Sequence, residues 1–177
     1  MRIRPYMESR DYEYVEKWID SEKIHVLWCA GLISYPLNRQ DFHGLLERNA
    51  EEWADSAYVA EEDGTVIGFF CYSVNTDNNE GFLKLVVVDP AKRGMGYGRK
   101  MLELALQYAF DITGAEQVQI NVFTENPAAR RCYERLGFTE RSFTEQVLFF
   151  HGESWGRYNM VIRRQDLDRT RNAERTD

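Results

Sequence analysis

The chain has 177 residues, 44% of them hydrophobic and 14% aromatic, enough to build one sizeable core. Its 22 Lys and Arg stand against 29 Asp and Glu, a net charge of −7, which disfavours a general nucleic-acid binder and suits a cationic acceptor better than an anionic one. No apolar run approaches the roughly 20 residues of a membrane helix, and "MRIRPYMESRD" has no apolar signal-peptide core, so a soluble, cytoplasmic protein is expected.

"RIRPYM" predicts a first strand, and "DYEYVEKWIDSEKIHVLW" a helix capped by Asp11, with Tyr14, Val15, Trp18 and Ile19 at helical spacing. After Pro36, "NRQDFHGLLERNAEEWADS" repeats the pattern through Phe42, Leu45, Leu46 and Trp53. The period then becomes that of strands: "AYVAEEDGTVIGFFCYSV" is a hairpin about Asp63-Gly64, and "GFLKLVVVD" is apolar enough for a central strand covered on both faces. A glycine bend, "RGMGYG", leads to a helical stripe of Met101, Leu102, Ala105, Tyr108, Ala109 and Ile112, closed by Gly114. "AEQVQINVFT" alternates as a strand with Val118, Ile120 and Val122 on one face. "NPAARRCYERLG" is a short helix with Asn126 as N-cap, Pro127 first and Gly137 last. "FTERSFTEQVLFF" and "WGRYNMVIRR" form a hairpin about "HGES". The polar "QDLDRTRNAERTD" is expected to be a loose tail. Residues 1–165 are thus expected to form a single domain and 166–177 the tail.

Cys29, Cys71 and Cys132 are odd in number and unpatterned, which supports neither a disulfide framework nor a zinc site. Cys71 and Cys132 suit small buried hydrophobes. Cys29 lies in a less regular segment, where a nucleophile stays open although the sequence shows no activating base.

A glycine-studded bend between a buried strand and a helix suits an anion, because the helix start has unpaired N–H groups and a positive dipole end. Three phosphate sites compete. A dinucleotide fold needs G-x-G-x-x-G early in a strand-helix-strand series, whereas Gly94, Gly96 and Gly98 follow several antiparallel strands at G-x-G-x-G spacing. A nucleoside-triphosphate loop needs G-x-x-x-x-G-K-[ST], and "GMGYGRKML" lacks the Lys-Ser/Thr pair. The third site emerges from "VVVDP", then Arg93-x-x-Gly96-x-Gly98, then a strand and "NPAARRCYERLGF". That combination, which spans roughly residues 1–165, resembles the GCN5-related N-acetyltransferase (GNAT) family, and more loosely its ribosomal-protein N-terminal and aminoglycoside acetyltransferase branch through "VLWCAGLISYPLNRQDF" and "GESWGRYNMVI".

The resemblance implies an α/β (α+β) GNAT fold: a mixed, mostly antiparallel twisted sheet of six to seven strands, flanked by about four helices, with strands four (Phe82 to Val88) and five (Gln117 to Phe123) splayed. It implies acetyl-coenzyme A as cosubstrate. Backbone groups near Val86, Val87 and Val88 would pair with the pantetheine arm, and Arg93, Gly94, Met95, Gly96, Tyr97, Gly98 and Arg99 would surround the pyrophosphate. Asn126 and Ala129 would lie beside the arm. For the arginines a solvated helix end stays the plain alternative. A neutral amine would attack the thioester, a backbone N–H of strand four would steady the oxyanion, and Tyr133 would protonate the leaving sulfur, unless it only packs there.

Some family members carry a glutamate base in strand four or midway along strand five. Here those stretches read "FLKLVVV" and "QINVF", so Glu80 and Glu125, each at a strand end, are the nearest carboxylates. A poor base favours a low-pKa amine: an α-amino group titrates at about 7.7–8.0, whereas a lysine is neutral about once in a thousand molecules at pH 7. A peptide N-terminus or an amino sugar is the favoured acceptor, taken up by His25, Trp28, Tyr35 and Trp155, with His25 or His151 a further candidate base. No metal is implied, and a homodimer is the partner state frequent in the family. The rival expectation is a non-catalytic module that senses acyl-coenzyme A.

Overall fold

A computed structural model describes residues 1–167 and 169. Its strands are β1 Arg2–Pro5, β2 Ser56–Glu62, β3 Thr65–Asn75, β4 Glu80–Val88, β5 Gln117–Phe123, β6 Thr139–Phe150 and β7 Glu153–Arg163. Its α-helices are α1 Glu8–Trp18, α2 Glu22–Cys29, α3 Arg39–Trp53, α4 Tyr97–Gln107 and α5 Pro127–Leu136. The strands form one sheet of order β1-β2-β3-β4-β5-β7-β6, antiparallel throughout except between β4 and β5. That exception follows from connectivity: α4 carries the chain back across the sheet, so β5 runs parallel to β4.

Helices cover both faces, which is why β3 is apolar without interruption. Phe69 and Cys71 pack with Tyr12, Trp18 and Phe42 under α1 to α3, while Phe70 and Tyr72 pack with Met101, Leu106, Ile120 and Leu136 under α4 and α5. Among the described residues no helix is long and apolar enough to cross a membrane.

Three local expectations change. The first helical pattern is two helices, because Ser21 accepts the Ile24 N–H and so opens α2 with its own cap. Asp11 lies inside α1 and reaches back to the Met7 N–H at 2.8 Å instead of standing at the N-cap. Trp53 and Ile112 leave the core, at 63% and 72% exposure. Trp53 is the last residue of α3, and Ile112 ends a π-helical stretch, Tyr108–Ile112, whose wider turn rotates it off the α4 stripe. Of the tail, residues 168 and 170–177 lie outside those described, while Leu167 is buried in the core.

An ion network ties β1 to α1 and β2. Arg4 meets Asp11 at 2.7 Å and Glu61 at 2.8 Å, and Arg2 meets Glu61 at 2.7 Å. These arginines, Arg4 first, hold the Glu61 carboxyl at about 2, well below its ordinary 4.5. A depressed carboxyl favours folding above its unfolded value, so this contribution is present above about pH 4.5 and is lost as pH falls towards 2. Arg4→Gln should therefore lower the melting temperature at neutral pH and lessen its further fall on acidification. Parallel melting curves for the two proteins across that range would refute the assignment.

Candidate active site

The pairing of β4 with β5 runs only from Glu80 and Gln117 to Leu83 and Ile120. Beyond it the strands part, because β4 carries a bulge: Phe69 faces Val87 and Cys71 faces Lys84, so Leu85 and Val86 share one position opposite Phe70. Leu85 has φ +51°, a strained backbone for a γ-branched residue. Its carbonyl accepts the indole N–H of Trp28 at 2.7 Å, so α2 holds the bulge in place.

The parting opens a cleft of about 330 Å³, lined by Leu27, Trp28, Cys29, Ala30, Leu32, Asn49, Phe82, Leu83, Lys84, Leu85, Val86, Ile120, Asn121, Val122, Phe123, Asn126, Tyr133 and Arg157. Four predicted site residues therefore meet: Trp28, Val86, Asn126 and Tyr133. A larger hollow of about 650 Å³ is lined only by residues of α1 and α3, including Glu8, Arg39, His43 and Glu47, and has no such strand edges.

At the end of β4 the chain passes a short 3₁₀ turn, Pro90–Lys92, and enters α4 through Gly94 (φ +75°) and Gly96 (φ +83°). A Cβ at either glycine would meet nothing within 4 Å, so the bend lies open to solvent. Gly96 is the N-cap of α4, and no side chain caps the helix, which leaves the first-turn N–H groups without a side-chain partner. Lys92 and Lys100 flank the bend, each less than 6 Å from the Tyr97 ring, at 5.7 and 5.5 Å. Arg93 and Met95 are exposed beside it, and Arg99 pairs with Glu103 at 3.0 Å. Unpaired strand edges and an uncapped helix start fit the two ends of a long ligand, amides along the arm and phosphate at the head.

Tyr133 is the seventh residue of α5, buried, with its ring 5.9 Å from that of Phe138. Its hydroxyl has no hydrogen-bond partner among the described residues. Burial pushes the phenol well above its ordinary 10, so it holds its proton at neutral pH. Asn126 caps α5 through Oδ1, which accepts the Ala129 N–H at 3.1 Å. Its amide N–H groups are then the part turned to other uses.

The remaining predicted residues lie elsewhere. Glu80 starts β4, buried against Arg141 and within 3.1 Å of the Gln119 amide. Five residues of strand separate it from Leu85, about 16 Å, too far to take a proton from an amine at the bulge. Glu125 is exposed at the end of β5, next to Asn126. His25 is 1% exposed, turned to Cys29 at 3.6 Å, and burial pulls its pKa down. Trp155 is wholly buried against Phe150 and Phe123, so it presents no surface to an acceptor. Tyr35 is exposed and donates to the Asp20 carbonyl at 3.4 Å. His151 pairs with Glu22 at 3.0 Å on the surface. Burial raises the Cys29 thiol, which speaks against a thiolate nucleophile.

The two charged cleft residues, Lys84 and Arg157, were not expected from sequence. Lys84 pairs with the buried Asp55 at 2.5 Å. Arg157 belongs to the alternation Trp155, Arg157, Asn159 of β7, and that alternation was a signal available in the sequence. Its cross-strand partner, Phe123, was not.

Residues 9–138 match the model of the acetyltransferase (GNAT) family. A mycothiol acetyltransferase of Thermomonospora curvata is 40% identical over 97 residues, 54% of this chain and 32% of that protein. A spermidine N(1)-acetyltransferase of Vibrio cholerae is 31% identical over 67 residues, 38% of this chain and 39% of that one. The chain spans about a third of the length of the mycothiol acetyltransferases it matches. The crystal structure of spermidine N-acetyltransferase from Vibrio cholerae in complex with coenzyme A and spermine superposes with a TM-score of 0.78 at 20% identity, over 93% of this chain and 96% of that one. The fold is thus the GNAT fold, and the chain belongs to the GNAT acetyltransferase family, whose cosubstrate is acetyl-coenzyme A.

Proposed function

We propose that residues 1–165 form a single acetyltransferase domain that transfers acetyl directly from acetyl-coenzyme A to a low-pKa primary amine in a ternary complex. The observation that carries this reading is Tyr133, a protonated phenol without a protein partner on the wall of the cleft between two unpaired strand edges. When bound, acetyl-coenzyme A would supply an acetyl thioester, to whose carbonyl the amine adds before the C–S bond breaks. The edges of β4 and β5 hold the arm, Asn126 offers its amide N–H groups, and Gly94 to Gly98 with Lys92, Arg93 and Lys100 receive the phosphates. Backbone N–H groups at the bulge face the developing oxyanion, and Tyr133 gives its proton to the departing sulfur.

No Asp or Glu lines the cleft, so the amine must arrive neutral and the surplus proton its nitrogen carries after attack must leave to water, with Glu125 the nearer of the two predicted carboxylates. Lack of a base supports an α-amino group or an amino sugar, the acceptor types of the ribosomal-protein and aminoglycoside branch. Relatives named for mycothiol and for spermidine widen the panel to be tried. On a peptide N-terminus, kcat/KM should rise tenfold per pH unit up to about 8, where such an amine becomes neutral, and then level. Equal activity on lysine side chains at neutral pH would overturn the low-pKa assignment. Incubation with acetyl-coenzyme A and a pool of peptides, amino sugars and polyamines, read by mass spectrometry, identifies the class.

A further inference from the structure

We infer that the acceptor carries a carboxylate as well as its amine, and that Arg157 selects for it; the inference rests on the amine-acetylation reading above. The residues lining the cleft include two cations, Lys84 and Arg157, and no Asp or Glu. Lys84 is neutralised by Asp55 at 2.5 Å. Glu80, on the same face of β4 as Lys84, is likewise matched, by Arg141. Arg157 is different. It sits in β7 across from Phe123 of β5 and Thr144 of β6, exposed, and among the described residues its guanidinium has no hydrogen bond or ion pair. Glu145, next to Thr144 where the pairing of β6 with β7 shifts, is not joined to it.

A guanidinium without a partner at a cleft wall is suited to a planar carboxylate, which it can grip through two parallel N–H bonds, and it is less strongly hydrated than an ammonium. A polyamine carries the wrong sign for such a wall and would gain nothing there to offset repulsion. The overall charge of −7 points towards cationic acceptors, but no acidic side chain lines the cleft. The geometry therefore favours an aminoacyl compound or short peptide whose α-amine faces the bulge and whose carboxylate lies on a neighbouring side chain or at its far end.

The test uses matched probes: Ser-Asp-Ala amide against Ser-Asn-Ala amide, Ser-Ala-Ala acid against its amide, and spermidine. Transfer from acetyl-coenzyme A and binding to the coenzyme A complex are measured in parallel. One acid should exceed its amide by about ten- to a hundredfold in kcat/KM, the range of a charge-assisted pair. That ratio should fall to near one in Arg157→Gln and recover in part in Arg157→Lys. Spermidine used as well as the best acid, or a ratio untouched by Arg157→Gln, would overturn the inference while leaving amine acetylation intact. A carboxylate preference in binding that depends on Arg157, with no acetyl transferred to any amine, would support the Arg157 assignment and overturn the acetylation reading.

Discussion

Tyr133→Phe is expected to lower kcat about a hundredfold while the KM for acetyl-coenzyme A and the dissociation constant of coenzyme A stay within about twofold. The expectation comes from what the hydroxyl does not do. It bonds to no protein group among the described residues, so removing it orphans no buried donor or acceptor, and the ring keeps its packing against Phe138. Melting temperature should therefore stay near that of the parent, which separates a chemical defect from a folding one. A second readout is the alkaline limb. Because burial raises the phenol above 10, activity should not fall as pH passes 10 on account of this group. The same shift bears on stability: a raised pKa favours folding below the unfolded value of 10, and the benefit is lost as pH climbs through the folded value. A mutant with unchanged kcat would remove Tyr133 from the chemistry.

Gly96→Glu should weaken coenzyme A binding by more than a hundredfold, measured by calorimetry. Two effects combine. A side chain at φ +83° costs roughly 1–2 kcal/mol of backbone strain. The larger effect is occupancy, since the new carboxylate is drawn to the uncapped N–H groups of α4 that would otherwise receive phosphate. Gly152→Ala, at φ +86° in the β6–β7 turn with open space around it, carries comparable strain away from the bend. It should lose stability and keep coenzyme A binding. Tight binding by Gly96→Glu would show that the bend holds no phosphate.

Where the chain's local chemistry decides, the sequence was sufficient. Strand β5 lies within the alternating stretch "AEQVQINVFT", Asp63-Gly64 turns β2 into β3 with both residues at positive φ, and Asn126 and Gly137 bound α5. The splay of β4 from β5 came from family resemblance, since nothing in "FLKLVVV" marks one of its residues as a bulge. A bulge is a property of the pair of strands. The same limit explains Glu80: sequence put it beside strand four, but only register shows that it lies at the closed end of the splay. His25 and Trp155 were legible as aromatic residues in the right segments and illegible as buried ones, because burial depends on tertiary neighbours, Trp28 and Tyr35 for His25, Phe123 and Phe150 for Trp155. Arg157 needed the pairing of β5 with β7 to be placed at all.

The bond from Trp28 to the Leu85 carbonyl joins α2 to the bulge of β4. Trp28 belongs to a helix whose end lines the cleft, and Leu85 belongs to the strand that would receive the cosubstrate's arm. One indole N–H therefore makes the two halves of the site a single mechanical unit. Its consequence is thermodynamic. A ligand that moves α2 alters the strand edge offered to the other ligand, and any such effect on affinity must be returned in equal measure in the opposite direction. The order in which the two substrates bind is thus free to vary with their concentrations, while the product of their affinities is not.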